Sequence, residues 1–332
     1  MATTDSEWMD CVRWCNEGLP ADSIDLLILS LVELAESSRY SRPILVAKRS
    51  QDDHLAAGYL SLYPGSIGVI GNLRVEASAT QIGHNRELET SLLADVIQSL
   101  CSQAVEQGVE IVQAISTIEL DQVKMEPGIR PVATADESLM PPQDMALIRA
   151  KVLPIAKLVQ MEHTLPDPTS LSASKSGKSI GKELRFVHYA ELPTRQWHLL
   201  LEATYEGTLD VPELNGVRSI TNTLEGYASI LEGPPTSWWV VLSDDQPVGC
   251  LLLAQNHPSC ELTYLGLVPA HRGQGASKQI MNFLLDWCKA REIDRITLAV
   301  DVRNVPAIQL YQAYGFKPTK FVQAWIFSPA GF

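Results

Sequence analysis

The sequence predicts an α+β protein of two domains, each a mixed, twisted β-sheet flanked by helices. Three observations carry this expectation. The chain has 332 residues, more than one hydrophobic core usually serves at about 150 residues per domain. Residues 164–182 read TLPDPTSLSASKSGKSIGK, a Ser, Lys, Gly and Pro composition without apolar period that marks a linker. On each side of it, strand-like runs come first and an amphipathic helix with a further strand comes later. The division is therefore a first domain at 1–163, a linker at 164–183 and a second domain at 184–332.

The second half gives the clearer string of elements. LRFVHYA (184–190) alternates as a strand, and 194–205 follows as a helix. Residues 238–242 and 248–254 are β-rich runs on either side of SDDQP, a hairpin turn. Another strand is expected at 260–268. In 276–291, Ile280, Phe283, Leu284, Trp287 and Cys288 fall on one helical face. Residues 295–301 form a strand, Pro306 opens a short helix that Gly315 closes, and 321–327 is the last strand.

The first half repeats part of this plan. Strands are expected at 44–48, 57–62 and 109–115, with a helix at 87–107 stopped by Gly108. Gly128-Ile129-Arg130-Pro131 stands where the second half has Gly315-Phe316-Lys317-Pro318, and the strand at Gly58 corresponds to the one at Gly249. Two landmarks in the same order at nearly the same offset suggest a diverged tandem repeat.

Composition narrows the function classes. Apolar residues make up 45% and charged residues 20% of the chain, enough for a sizeable core and far from a disordered composition. The best apolar run, 26–35, is broken by Glu33 and is too short to span a bilayer. The start, MATTDSEWMD, has acids where a signal or transit peptide has Lys or Arg, so the expectation is a soluble, cytoplasmic protein. With 26 basic against 39 acidic residues the net charge is −13; phosphate backbones would repel it, and a cationic acceptor is easier to accommodate. Cys11 and Cys15 have i, i+4 spacing, but no second Cys or His pair lies nearby to complete a zinc site. No metal is expected.

The segment ELTYLGLVPAHRGQGAS, from Glu261 to Ser277, carries the chemistry. A strand runs into a glycine-containing loop that leads straight into an amphipathic helix, an arrangement that offers backbone N–H groups and a helix dipole to phosphate. The P-loop and dinucleotide fingerprints both fail here, since Lys278 stands where the latter needs a third glycine. Arg272, Gly273, Gln274, Gly275, Ala276 and Ser277 resemble the acyl-CoA loop of the GNAT superfamily of N-acetyltransferases, with serine as a mild departure in the last small position. NVPAIQLYQAYGF, from Asn304 to Phe316, is similar to that family's Asn-x-x-Ala-x-x-Leu-Tyr-x-x-x-Gly-Phe segment. The resemblance covers 184–327 closely and the first half in outline, in the tandem layout of mycothiol-synthase-like members.

The resemblance implies a set of roles, each with a plainer one beside it. Glu261 takes the place of a family member's catalytic base; its plain role is a solvated strand-edge carboxylate. A bulge expected near residues 265–268 would free backbone amides, with Leu267 and Val268 holding pantetheine. Tyr311 would protonate the departing thiolate, or pack on the sheet. Asn304 and Ala307 would hold the cofactor from the start of their helix; capping that helix is the alternative for Asn304. Tyr205, Asp210 and Glu213 lie in the family's variable region, where acceptors bind, and otherwise form a solvated acidic loop. His271 reads as a surface residue, and Trp238 and Trp239 as core.

The first half lacks this chemistry, with Gly83 alone at the loop, Lys124 at the place of Tyr311 and Ser66 at the place of Glu261. It is expected to be a degenerate scaffold domain. The implied function is transfer of an acetyl group from acetyl-CoA to a small-molecule or peptide amine by direct attack in a ternary complex. The rival is a non-catalytic acyl-CoA sensor. Neither the acceptor's identity nor the choice between monomer and dimer is written in these residues.

Overall fold

The computed structural model describes residues 5–37, 43–50, 55–76, 86–118, 140–165, 183–229, 231 and 235–330. Most of the expected linker, Gly83, Lys124 and the Gly128-Ile129-Arg130-Pro131 turn lie outside them. The elements run α1 (Asp5–Cys15), α2 (Ala21–Ser37), β1 (Ile44–Arg49), β2 (Leu55–Tyr63), β3 (Ile67–Glu76), α3 (Arg86–Glu106), β4 (Ile111–Ile118), α4 (Pro142–Arg149) and β5 (Leu153–Thr164). The second half continues with β6 (Leu184–His188), α5 (Thr194–Tyr205), α6 (Ile220–Ala228), β7 (Trp238–Ser243), β8 (Gln246–Asn256), β9 (Ser259–Leu267), α7 (Ala276–Lys289), β10 (Arg295–Asp301), α8 (Val305–Ala313) and β11 (Lys317–Phe327). Among the described residues no helix is long and apolar enough to cross a membrane, and no group of three or more His, Cys, Asp or Glu is placed to hold a metal.

The chain forms two compact units whose membership differs from the division at the linker. Unit 1 comprises Met1–Ser116, Ala133–Ile155 and Gln323–Phe332; unit 2 comprises Thr117–Val132 and Ala156–Val322. Most of β5 thus belongs to unit 2 although it precedes the linker, and the last ten residues belong to unit 1. The strand pairing explains this. In unit 2, β10 pairs antiparallel with β5 over Arg295↔Thr164 to Asp301↔Leu158, and Val159 and Met161 are buried in the core with Ile280, Leu284 and Trp287 of α7. In unit 1, Trp325 is buried among Val96, Ile97 and Leu100 of α3, and its Nε1–H donates to Ser116 Oγ at 2.9 Å.

Each unit repeats one plan. In unit 1, β1, β2 and β3 are antiparallel and β4 is parallel to β3. In unit 2, β6, β7, β8 and β9 are antiparallel and β10 is parallel to β9. The helix between the last two strands is α3 in one and α7 in the other, each burying one apolar face. For α7 that face is Ile280, Met281, Leu284, Trp287 and Cys288, with each large side chain worth about 1.5–3 kcal/mol on burial. Trp238 and Trp239 are buried in β7, as the sequence suggests.

Candidate active site

The site is organised by a fork in unit 2. Strands β9 and β10 pair for three residues only, Arg295↔Ser259, Ile296↔Cys260 and Thr297↔Glu261, and then part. The divergence coincides with a bulge in β9: Leu252 faces Tyr264 while Leu253 faces Leu262, so Thr263 is the extra residue. Its Oγ1 donates to Leu252 O at 3.0 Å. The bulge thus falls earlier than the expected residues 265–268, because it is set by the register with β8. Val268 does not supply a free amide either, since its N–H donates to Val248 O at 2.9 Å. Successive N–H groups of an extended strand point to opposite sides. With Val268 bound to β8, the N–H groups of Leu265 and Leu267 face the side that β10 has left.

Beyond β9 the chain turns through Arg272, Gly273, Gln274 and Gly275 into α7. Gly273 and Gly275 have φ of 72° and 86°, left-handed values that favour glycine. Gly275 is the N-cap, no side chain caps the helix, and its first turn carries no acid. The first N–H groups of the helix, from Ala276 and Ser277 on, lie at the positive end of the dipole. Arg272 departs from expectation. Its Nε donates to Leu267 O at 2.9 Å, Nη1 to Gly207 O at 3.1 Å and Nη2 to Thr204 O at 2.9 Å. The guanidinium is spent on three carbonyls and ties the loop to the end of α5, leaving the anion site to backbone dipoles. The Gln274 amide is likewise engaged within the turn, donating to Ala270 O at 2.6 Å. His271 is half-buried, and its Nδ1 is enclosed without a hydrogen-bond partner among the described residues.

Helix α8 closes the far side of the fork. Asn304 acts as its N-cap, with Oδ1 accepting the Ala307 N–H at 3.3 Å, so the capping role accounts for both residues placed there by the resemblance. Tyr311 is 8% exposed, in the core beside Phe316. Burial raises its phenol above the usual range and the charge of Asp210 adds to this, so it is protonated at neutral pH. Tyr314 holds the helix to α7, its hydroxyl lying 2.8 Å from Lys278 O and 2.9 Å from Asn282 Oδ1.

On the α5–α6 face a cavity of about 230 Å³ opens, with Tyr205, Tyr227, Tyr264, Thr263 and Asp210 in its lining. Tyr205 and Asp210 were candidates from sequence; Tyr227 and Tyr264 were not. Glu213 is not in the lining. It forms a two-pronged ion pair with Arg303, Oε1 to Nη1 at 2.6 Å and Oε2 to Nη2 at 2.8 Å, which holds its carboxyl below the ordinary range. Arg303 also grips Asp301, which is fully buried at the end of β10, with Nη2 to Oδ2 at 2.6 Å. Asp210 Oδ1 accepts the Asp301 N–H at 2.8 Å, and burial, then the Asp301 charge, raise the Asp210 carboxyl.

Glu261 sits where the strands part, outside the cavity lining. Its surface is exposed, yet the flanking strands desolvate its carboxyl enough to raise it. Unit 1 has the same three-residue parallel contact, Ile67↔Ile111 to Val69↔Gln113, so the residue equivalent to Glu261 is Val69. Ser66, taken from sequence as that equivalent, is in the turn before β3 with φ of 60°. At either position the carboxylate is missing.

A sheet that forks beside an uncapped helix N-terminus is the arrangement that the resemblance to the GNAT superfamily implies. Residues 199–316, in the second half of the chain, match the model of the Acetyltransferase (GNAT) family. Two Bacillus subtilis (strain 168) proteins are similar over short stretches. One, provisionally named a ribosomal protein bS18-alanine N-acetyltransferase, is 27% identical over 92 residues, 28% of this chain and 61% of that protein. The other, the uncharacterized N-acetyltransferase YobR, is 29% identical over 98 residues, 28% of this chain and 39% of that protein. The chain therefore spans under two thirds of either relative. Two solved structures resemble it along its length: a GCN5-related N-acetyltransferase from Sphaerobacter thermophilus (TM-score 0.56, 12% identity, 98% of this chain and 94% of that one), and a tandem GNAT protein from the clavulanic acid biosynthesis pathway (TM-score 0.50, 13% identity, 98% and 94%). These show the fold.

Proposed function

We propose that the protein is an N-acetyltransferase that moves an acetyl group from acetyl-CoA to a primary amine by direct attack, with its active site in unit 2. The observation that carries the reading is the β9–β10 fork beside the uncapped N-terminus of α7. The pyrophosphate would lie on the turn at Gly273, Gln274 and Gly275 and on the first amides of α7 at Ala276 and Ser277. Pantetheine would run along β9 and accept from the Leu265 and Leu267 N–H groups.

An amine near the lysine pKa of about 10.4 is mostly protonated at pH 7, and freeing its lone pair costs roughly 4–5 kcal/mol. A carboxylate must take that proton, and Glu261 at the fork is the base nominated by sequence. The Tyr311 phenol, protonated and without a hydrogen-bond partner among the described residues, is suited to give a proton to the departing sulfur. Val69 in place of Glu261 leaves unit 1 as a scaffold.

Acetyl-CoA is expected to raise the melting temperature of the full chain. Gly275→Asp retains a residue type that tolerates left-handed backbone but sets a negative charge against the phosphates, and should abolish the shift. Free thiol release should then appear with at least one amine in a mixed panel. An undiminished shift in the folded variant would sink the placement of the cofactor.

A further inference from the structure

The cavity beside the fork has an aromatic wall. Tyr205, Tyr227 and Tyr264 meet there, with ring centroids 5.2 Å apart for Tyr205–Tyr264 and 5.9 Å for Tyr227–Tyr264. Their hydroxyls are engaged: Tyr205 with Tyr227 at 3.3 Å, and Tyr264 with Thr204 Oγ1 at 2.8 Å. What the wall offers is ring surface, which attracts cations. Asp210 adds a carboxylate, and Leu214, Val217 and Ile220 add an apolar side. The volume of about 230 Å³ is below the ~300–1,000 Å³ of sites for drug-sized ligands.

Asp210 is fixed in this wall by its backbone. Val211 has φ of 42° and ψ of 60°, a costly conformation for a β-branched residue. Two reciprocal bonds hold it: Asp301 N–H to Asp210 Oδ1 at 2.8 Å and Val211 N–H to Asp301 Oδ2 at 3.2 Å. Groups acting on the Asp210 charge are Asp301 and Arg303 at the end of β10, and Tyr227, Tyr264 and Tyr311 on α6, β9 and α8. Glu213 is neutralised by Arg303. Glu202 and Arg218 stand elsewhere in the lining, and the Arg218 Nη1 donates to Asn222 O at 3.3 Å.

We propose that this cavity receives the acceptor as a short-chain primary alkylammonium ion, and that Asp210, rather than Glu261, takes the proton that frees its lone pair. The proposal rests on the acetyl-transfer reading. Of the three ammonium protons, one passes to the Asp210 carboxylate and on to water. The nitrogen then bonds to the thioester carbonyl carbon, and the C–S bond breaks. A second proton compensates the one that Tyr311 gives to the sulfur, and the third stays on the amide. Each turnover releases one proton.

The test follows thiol release by the full chain with acetyl-CoA and n-butylamine between pH 6.5 and 9.5. Asp210→Asn keeps an oxygen for the Asp301 N–H, so the wall is preserved. At pH 7 its turnover should fall about 100-fold. The deficit should shrink by up to about tenfold per pH unit as free amine becomes available below its pKa of ~10.4. Tetramethylammonium, which cannot be acetylated, should compete with butylamine, and Tyr227→Leu should raise the KM for butylamine about tenfold with the KM for acetyl-CoA unchanged. If Glu261→Gln shows the pH-dependent deficit instead, if tetramethylammonium does not compete, or if thiol release occurs only with other classes of amine, the proposal is wrong and the acetyl-transfer reading survives. Absence of both an acetyl-CoA melting shift and thiol release in the unaltered protein overturns the earlier reading, and this one with it.

Discussion

Replacing Arg303 with methionine removes the counter-charge of a fully buried carboxylate while keeping the aliphatic stem. Asp301 is 0% exposed, and the guanidinium supplies it with Nε–H bonds of 3.0 Å to each oxygen and an Nη2–H bond of 2.6 Å. Two backbone donors would remain, Arg303 N at 2.8 Å and Val211 N at 3.2 Å. Breaking a buried pair from one side costs ~3–5 kcal/mol, and the surviving donors put this case near the lower end. The Glu213 arm, more exposed, adds at most about 1 kcal/mol. At roughly 2–4 °C per kcal/mol for a unit of this size, the melting temperature at pH 7 should fall by about 6–15 °C. Scanning calorimetry measures it directly. Arg303 holds the Glu213 carboxyl below its ordinary value, so that part of the stability is present above pH ~4.3 and lost as the pH falls through the lowered value. The gap between the two proteins should accordingly narrow below about pH 4. Asp301→Asn combined with Arg303→Met should recover part of the loss, since no charge is then stranded. A melting change under about 2 °C in the single variant, or a double variant no better than the single, would refute the account.

Tyr311→Phe keeps the ring among its core neighbours and removes only the hydroxyl, so turnover should drop about 100-fold with little change in acetyl-CoA affinity; steady-state kinetics and titration together check this. Arg272→Met loses all three carbonyl contacts that set the glycine turn. Because the guanidinium does not face the anion site, the loss of acetyl-CoA affinity should persist undiminished in high salt, whereas a direct phosphate contact would be screened away. Isothermal titration of the full chain should count one acetyl-CoA per chain, and a stoichiometry near two would show that unit 1 binds through other donors.

Local chemistry was legible from sequence and long-range pairing was not. Helix α5 runs Thr194–Tyr205, as its apolar period indicates. The SDDQP turn closes on Asp244 and Asp245, both at positive φ, between paired Ser243 and Gln246, because a two-residue hairpin turn is written in its own residues. By contrast, LPIAKLVQMEHT shows no clean alternation, and only its partners identify it as a strand. The position of the bulge depends on the β8 register, which explains why Thr263 was missed. Arg272 stands next to a glycine turn in sequence, but its targets lie in α5, just beyond α5 and in β9. The tyrosine cavity joins three elements, and Tyr227 and Tyr264 acquire meaning only when those elements meet.

The exchange of strand segments has a consequence for how the chain is made. Synthesis proceeds from the amino end, yet the core of unit 1 lacks Trp325 until the whole of unit 2 has been made. Unit 2, in turn, draws Val159 and Met161 from β5, which is made before the linker and all its other strands. The first unit to emerge is therefore the one obliged to wait, and a chain that stops short of Trp325 wounds the amino-terminal core.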